Sequence, residues 1–478
     1  MASNPLSGLI PRGSLGLKLL LVCFLALVML IPLTLVQGLV NERQSRAITV
    51  TEEVGAQSGG RQQVGGPILI VPAVERITGT DDQGRPATRL ERRTFLVYAQ
   101  TGTADANVAI QQPLRRKGIY KAAVYTATTR FTASFDPAAA LADVGPDVTF
   151  DWSQARIMMF VADSRAIREA VILRFDAGGE SALEPLLAGD LSSIGTNAGR
   201  DGSSFSASID PSGMPTASGM QTMAGAVPVL AQGPRAFAIT TDIILTGAQR
   251  FSLAAFAMET QATIRGDWRS TLAEGFFQTT EPMQLSNEGF VAAWNVPFLA
   301  RGVPKASAGS IADVSTVASR DMAVSFSAVA DVYQGAQRAV RYGLMFVGIV
   351  FLAVFIFEAA GGRKAHPAQY VLVGLAQCVF YLLLLSLTEL WGFTPAFLAA
   401  AGVTVPLLSF YAASSFNSMR LGLRAFVGLT ILYGAMYVLM TMEDYALLAG
   451  SVVAFVVILG AMLATRKIDW YGASANPN

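Results

Sequence analysis

The last third of the chain alternates long apolar runs with short polar loops, and the charges in those loops follow a strict order. The runs cover residues 343–357, 370–387, 396–412, 425–440 and 446–464. Each is close to the ~20 apolar residues needed to cross a hydrocarbon core ~30 Å thick. Loop 361–367 carries Arg363 and Lys364, loop 414–424 carries Arg420 and Arg424, and Arg466 and Lys467 follow the last run. The alternate loops hold only acids, Glu389 in one and Glu443 with Asp444 in the other. Basic side chains are retained in the cytoplasm during insertion, so this alternation predicts which side each loop occupies. The expectation is a polytopic bacterial inner-membrane protein.

A sixth run, residues 17–40, lies near the N-terminus beside Arg12 and Lys18. It exceeds the 7–15 apolar residues of a signal-peptide core, and no A-x-A-like cleavage site follows it. An uncleaved anchor at 17–40 is therefore expected, with residues 1–16 cytoplasmic. Six spans would place segment 41–341 in the periplasm, make 342–465 a five-helix bundle and leave 466–478 as a cytoplasmic tail. Arg338 and Arg341 sit on the outer side against the rule, but long domains translocate largely regardless of charge. The composition agrees, because 52% hydrophobic and 14% charged residues are wrong for a purely soluble chain of 478 residues.

Both cysteines, Cys23 and Cys378, fall inside predicted spans, so the external segment has no disulfide and must be held by core packing. The near balance of 35 Lys plus Arg against 34 Asp plus Glu gives no footing for nucleic acid as a partner.

The external segment reads as mostly β. Residues 67–72 form a β-branched run closed by Pro67 and Pro72, 93–98, 120–128 and 130–135 follow as strands, and 109–114 leads into the next turn. Asp136-Pro137 ends the last of these. After the strand 156–161, Asp163-Ser164 offers an N-cap to a short helix at 165–171. The stretch 178–235 is Gly/Ala/Ser-rich, with a turn signal at 199–204 and a short strand at 205–209, and it predicts a boundary between two β subdomains. Strands at 237–245, 250–255, 261–265, 288–295 and 322–329 build the second half. Residues 333–341 are predicted to be helical and to run straight into the next span.

These landmarks resemble the CreD family of inner-membrane proteins over nearly the whole chain. The resemblance rests on Arg341-Tyr342-Gly343-Leu344 leading to Phe357-Glu358, on His366-Pro367-Ala368-Gln369-Tyr370, and on residues 381–389, 443–450 and 465–471. In the external part it rests on Gly66-Pro67, Pro72, Arg115-Arg116-Lys117-Gly118-Ile119-Tyr120, Val124-Tyr125, and Gly247-Ala248-Gln249-Arg250 followed by Trp268. Trp268-Arg269-Ser270-Thr271 departs from the family's proline-containing Trp motif. The resemblance implies a role in envelope integrity and in the response to cell-wall stress, within a two-component regulon. It supplies no defined biochemical activity.

Candidate functional residues are few. His366 is the single histidine, so neither a Ser-His-Asp site nor a three- or four-ligand zinc site can be assembled in the usual way, and no cofactor motif is present. Glu358 and Glu389 are included because an acid in a membrane segment is a functional candidate by default. Both lie at span ends that water or a neighbouring Arg can reach, however, and Glu358 has Arg363 and Lys364 nearby for a structural tie. Glu443 and Asp444 complete the acidic set. Arg115, Arg116 and Lys117 form the densest external basic cluster, suited to a lipid headgroup or wall polymer, or simply to a solvated turn at Gly118. Gly374, Ala376, Gly428 and Gly434 suggest close helix contacts, and Tyr381, Trp391 and Trp470 suggest interfacial anchors. A wall hydrolase would need facing acids, for which Asp151 with Asp163, or Glu259 with Asp267, are the candidates. The leading expectation is a non-enzymatic envelope protein that acts through membrane lipids, periplasmic or inner-membrane proteins, or wall components. The alternative is a transporter or lipid-handling protein that uses the bundle.

Overall fold

The computed structural model describes residues 15–80, 86–118, 120–186, 220–268, 271–308, 311–326, 330–361, 365–442 and 446–466. Two compact units emerge: Thr49–Ala328, which is β-rich, and a helical unit of Met1–Ile48 with Val329–Asn478. The turn signal at 199–204 and the strand at 205–209 lie outside the described residues, as do Arg363, Lys364, Glu443, Asp444 and Trp470.

In the β unit, two long strands organise the rest. β1 (Gln62–Thr80) and β2 (Pro86–Ile110) form an antiparallel hairpin from Ile68↔Tyr98 to Thr80↔Pro86. β2 then continues past β1, and its second half, Thr101–Ile110, pairs with β3 (Val124–Phe135). β1 pairs in turn with β4 (Arg156–Val161). After the Gly/Ala/Ser-rich stretch come β5 (Phe237–Ala248), β6 (Arg250–Ala254), β7 (Ala257–Gly266), β8 (Phe290–Val296) and β9 (Asp321–Phe326). β5 pairs with β3 along its whole length, β6 runs parallel to the start of β1, and β7 runs parallel to β2.

Strands from before and after residues 178–235 are therefore neighbours in the same ladders, and the two predicted subdomains are one unit. The reason is register: β3 alternates buried with exposed side chains and most of β5 alternates buried with half-buried ones, so their buried positions complete one shared core face. Residues 165–171 also differ from expectation. Asp163 does cap the following turn, but that turn is a single 3-10 stretch, Ser164–Ala166, after which Ile167 bridges to Leu245.

The core is aromatic, with Tyr125 edge-on to Phe251 at 5.9 Å and Phe131 edge-on to Phe256 at 5.5 Å. Such rings leave no room for a side chain opposite. A Cβ on Gly66 or Gly102 would come within 2.4 Å of Phe256, and one on Gly65 within 2.1 Å of Phe160. The β5–β6 corner explains another motif. Gly247 makes room for the Tyr125 ring, and Gln249 takes a left-handed φ of 65° at the turn. Arg250 reaches Glu274 at 2.9 Å and Asp321 at 2.8 Å, while the Tyr125 hydroxyl donates to the Arg250 carbonyl at 2.6 Å.

The helical unit holds α1 (Gly16–Ala56, continuing into the β unit), α2 (Ala330–Arg341), α3 (Gly343–Gly361), α4 (Pro367–Trp391), α5 (Phe393–Ser415), α6 (Met419–Thr441) and α7 (Ala446–Thr465). Among the described residues, α1, α4, α5 and α6 are each long and apolar enough to cross a membrane, and α2 with α3 makes a fifth if counted as one bent span. The strongly apolar part of α7, Leu448–Leu463, is shorter.

The rigid continuation of 333–341 into the next span is not what forms, because the two segments meet at 48°. The bend falls at Tyr342, just before Gly343. A Cβ on Gly343 would come within 3.0 Å of Leu33 and 3.4 Å of Tyr381, so glycine both permits the kink and allows the approach.

Two further expectations fail against the helix packing. Gly374 is a close helix contact, where a Cβ would meet Met29 at 2.6 Å, but Gly428 and Gly434 face open space. Tyr381 is no interfacial anchor. It is buried in the bundle, where its neighbour Phe380 packs on Phe397 and Tyr433.

The Gly65–Phe160 contact is directly testable. Gly65→Ala should cost about 1–3 kcal/mol, the usual range for overpacking. Gly79→Ala, with nothing within 4 Å, should change stability by less than about 0.5 kcal/mol. Thermal unfolding of the full chain in detergent reads both.

Candidate functional site

The residues with the most chemistry in the helical unit gather at the N-terminal end of α4. Glu358, near the end of α3, is 5% exposed and so needs compensation for its charge. It receives two donors: the Lys18 ammonium of α1, in an ion pair, and the Tyr370 hydroxyl of α4 at 3.0 Å. Lys18 also donates to the Ala365 carbonyl at 2.9 Å. One carboxylate thus ties three helices, and the partner shown for it is Lys18, 340 positions away in sequence. Tyr370 is further held by an edge-on contact with Phe351 of α3 at 5.6 Å.

His366 stands beside this cluster with a local task. Its Nδ1 accepts from the Ala368 N–H at 3.2 Å, and its own N–H donates to Gln369 Oε1 at 3.1 Å, which caps α4 reciprocally. Pro367 at the first helical position completes that start. Glu389 lies near the other end of α4 and accepts from the Tyr333 hydroxyl of α2 at 3.0 Å. The structure therefore does not bring Glu358 and Glu389 together. They secure opposite ends of one helix.

In the β unit, Arg115–Lys117 forms a hairpin with Tyr120–Ala122 around Gly118, whose φ is 64°. All three basic side chains are exposed, and Lys117 pairs with Glu53. Three of the four acids considered for hydrolysis have local partners. Asp151 accepts from the Ser153 N–H at 3.2 Å and its hydroxyl at 2.6 Å, and Asp267 accepts from the Ile110 N–H at 2.9 Å. Asp163 accepts from the Arg165 N–H at 2.9 Å and from its guanidinium. Burial opposes ionisation of Asp163, but the Arg165 bonds outweigh it and hold the carboxyl below its usual range. Glu259 is exposed on β7. Among the described residues no three His, Cys, Asp or Glu side chains cluster as a metal site would require.

Two features were not legible from residue types. The first is Arg301, which is fully buried and donates to the carbonyls of Phe256 at 3.3 Å, Val303 at 3.1 Å and Pro304 at 2.8 Å. Its guanidinium lies 4.2 Å over the Tyr98 ring. Burial pushes Arg301 down to about 10 and the Tyr98 hydroxyl up to about 12. This arginine organises loop carbonyls and is part of the core. The second is a cavity of about 440 Å³ among α3, α4, α5, α6 and α7, with Gln369, Tyr411, Ser415 and Arg424 as its polar lining.

The Glu358 cluster makes a definite energetic claim. Removing one partner of a buried pair costs about 3–5 kcal/mol, because a charge is left uncompensated. Lys18→Met should therefore lower the melting temperature more than Lys18→Met combined with Glu358→Gln. Additive losses in a double-mutant cycle would show that the two side chains act independently.

The family model described as "Inner membrane protein CreD" matches residues 14–471. The chain is also 26% identical over 451 residues to the inner membrane protein CreD of Escherichia coli (strain K12), covering 94% of this chain and 92% of that protein. The match takes in α1, the whole β unit and the helices after it. The chain belongs to the CreD family of inner membrane proteins.

Proposed function

We propose that this protein supports envelope integrity under cell-wall stress without itself being an enzyme, through contacts with periplasmic proteins, inner-membrane proteins or wall components. In this reading the chain crosses the membrane six times, with α7 as the last crossing and both termini cytoplasmic. The β unit then faces the periplasm. The alternation of basic loops (Arg363, Lys364; Arg420, Arg424; Arg466, Lys467) with acidic ones supports that placement.

The observation that carries the non-enzymatic part is the use made of the acids in the β unit. Asp151, Asp163 and Asp267 each accept backbone N–H bonds, which commits their carboxylates to holding turns and strand ends. What the unit offers instead is a large folded surface built on one continuous set of ladders, the kind of body that engages partners. Membership of the CreD family agrees with a membrane-associated role.

The test is complementation of a deletion strain challenged with wall-targeting antibiotics and detergent. The full chain should restore resistance, and a chain lacking residues 41–341 should not. Full rescue by the shortened chain, at equal membrane abundance, would overturn the reading. Alkaline phosphatase fused within the β unit should be active, and an inactive fusion at normal expression would place that unit in the cytosol.

A further inference from the structure

The cavity in the helical unit has a polar end and an apolar end, and the topology fixes which is which. Its lining runs from near the C-terminal ends of α3 and α5 and the N-terminal ends of α4 and α6 into the middle of the bundle, where α7 adds Val452, Val453, Val456 and Val457. These helices run alternately up and down, so those four helix ends lie together at one end of the bundle. Gln369, Ser415 and Arg424 sit at that end with Tyr411 one helical turn deeper, and Ile349, Leu408, Leu432 and Val456 line the depth.

Along α6 the lining runs from Arg424 to Ala435, about 16 Å at 1.5 Å per residue. That is roughly half of a ~30 Å hydrocarbon core, the depth of a single leaflet. Arg424 is exposed and has no carboxylate partner among the described residues. A guanidinium at the mouth of a leaflet-deep apolar slot complements one chemistry: an anionic headgroup carrying a hydrocarbon tail.

We propose that this cavity holds one acyl chain of an anionic phospholipid, with Arg424 binding its headgroup phosphate. Gly428 is the position that keeps the slot open. It lines the cavity, and a Cβ there would meet nothing within 4 Å. A larger side chain at 428 therefore enters the space the acyl chain occupies without clashing at its own root. Glycine is also a poor helix former, so its replacement does not weaken α6. The inference is independent of the envelope role, because the site is defined by the bundle alone and is read by binding.

The experiment is native mass spectrometry of the purified full chain after exchange into phosphatidylglycerol or phosphatidylcholine, with delipidating detergent washes. The unmodified protein should retain one phosphatidylglycerol in preference to phosphatidylcholine. Gly428→Leu should lose the retained lipid while keeping its helical circular dichroism and melting cooperatively. Arg424→Gln should reduce the preference for phosphatidylglycerol about fivefold, the worth of one basic side chain near an anionic lipid surface, and Arg424→Lys should restore most of it. Equal retention of the two lipids by the unmodified protein, or undiminished retention by a folded Gly428→Leu, would overturn the proposal.

Discussion

A carboxylate buried among apolar helices constrains everything around it. Glu358 would be intolerable in the bundle without compensation, and the compensation comes from two other helices, through Lys18 and Tyr370. Its position therefore fixes where α1 and α4 can lie relative to α3. The close approach of Gly374 to Met29 and Phe351 then brings the same three helices together by packing. Polar and apolar contacts thus specify one arrangement, where apolar packing alone, with lipid as the competing solvent, discriminates weakly.

The β unit is constrained by rings and not by charge. Phe256 sits where Cβ atoms on Gly66 and Gly102 would be, so β1 and β2 approach it as bare backbone. Tyr125 imposes the same demand on Gly247, and its hydroxyl closes the corner by bonding to the Arg250 carbonyl. Arg250 then reaches from β6 to Asp321 on β9 and to Glu274. Residues that looked like isolated family landmarks, Gly66, Gly247 and Arg250, thus belong to one packing problem. Arg301 fills a related gap by binding three carbonyls that no strand partner satisfies.

Much of the architecture was legible because hydropathy and charge are local signals. The apolar runs, the β character of the external segment, the cap at Asp163 and the turn at Gly118 all follow from short stretches of sequence. Pairing between distant strands was not legible. Nothing local in 124–135 states that it will lie against 237–248, so the Gly/Ala/Ser-rich stretch between them read as a boundary although strands on either side of it pair directly. The kink at Tyr342 escaped for a similar reason, since it falls beside Gly343, whose neighbours Leu33 and Tyr381 are distant in sequence.

At the candidate site the division is equally clear. Residue chemistry alone indicated that Glu358 would pair with a cation, that a single histidine does not supply a usual zinc or triad set, and that the loops alternate in charge. Those conclusions depend only on ionisation, ligand number and the cost of moving charge across lipid. Tertiary structure decided that the cation is Lys18, that Tyr381 is a core residue, and that Gly428 faces open space beside Arg424. Each of these depends on which helices are neighbours, and neighbours are chosen by packing across the whole bundle rather than by any single segment.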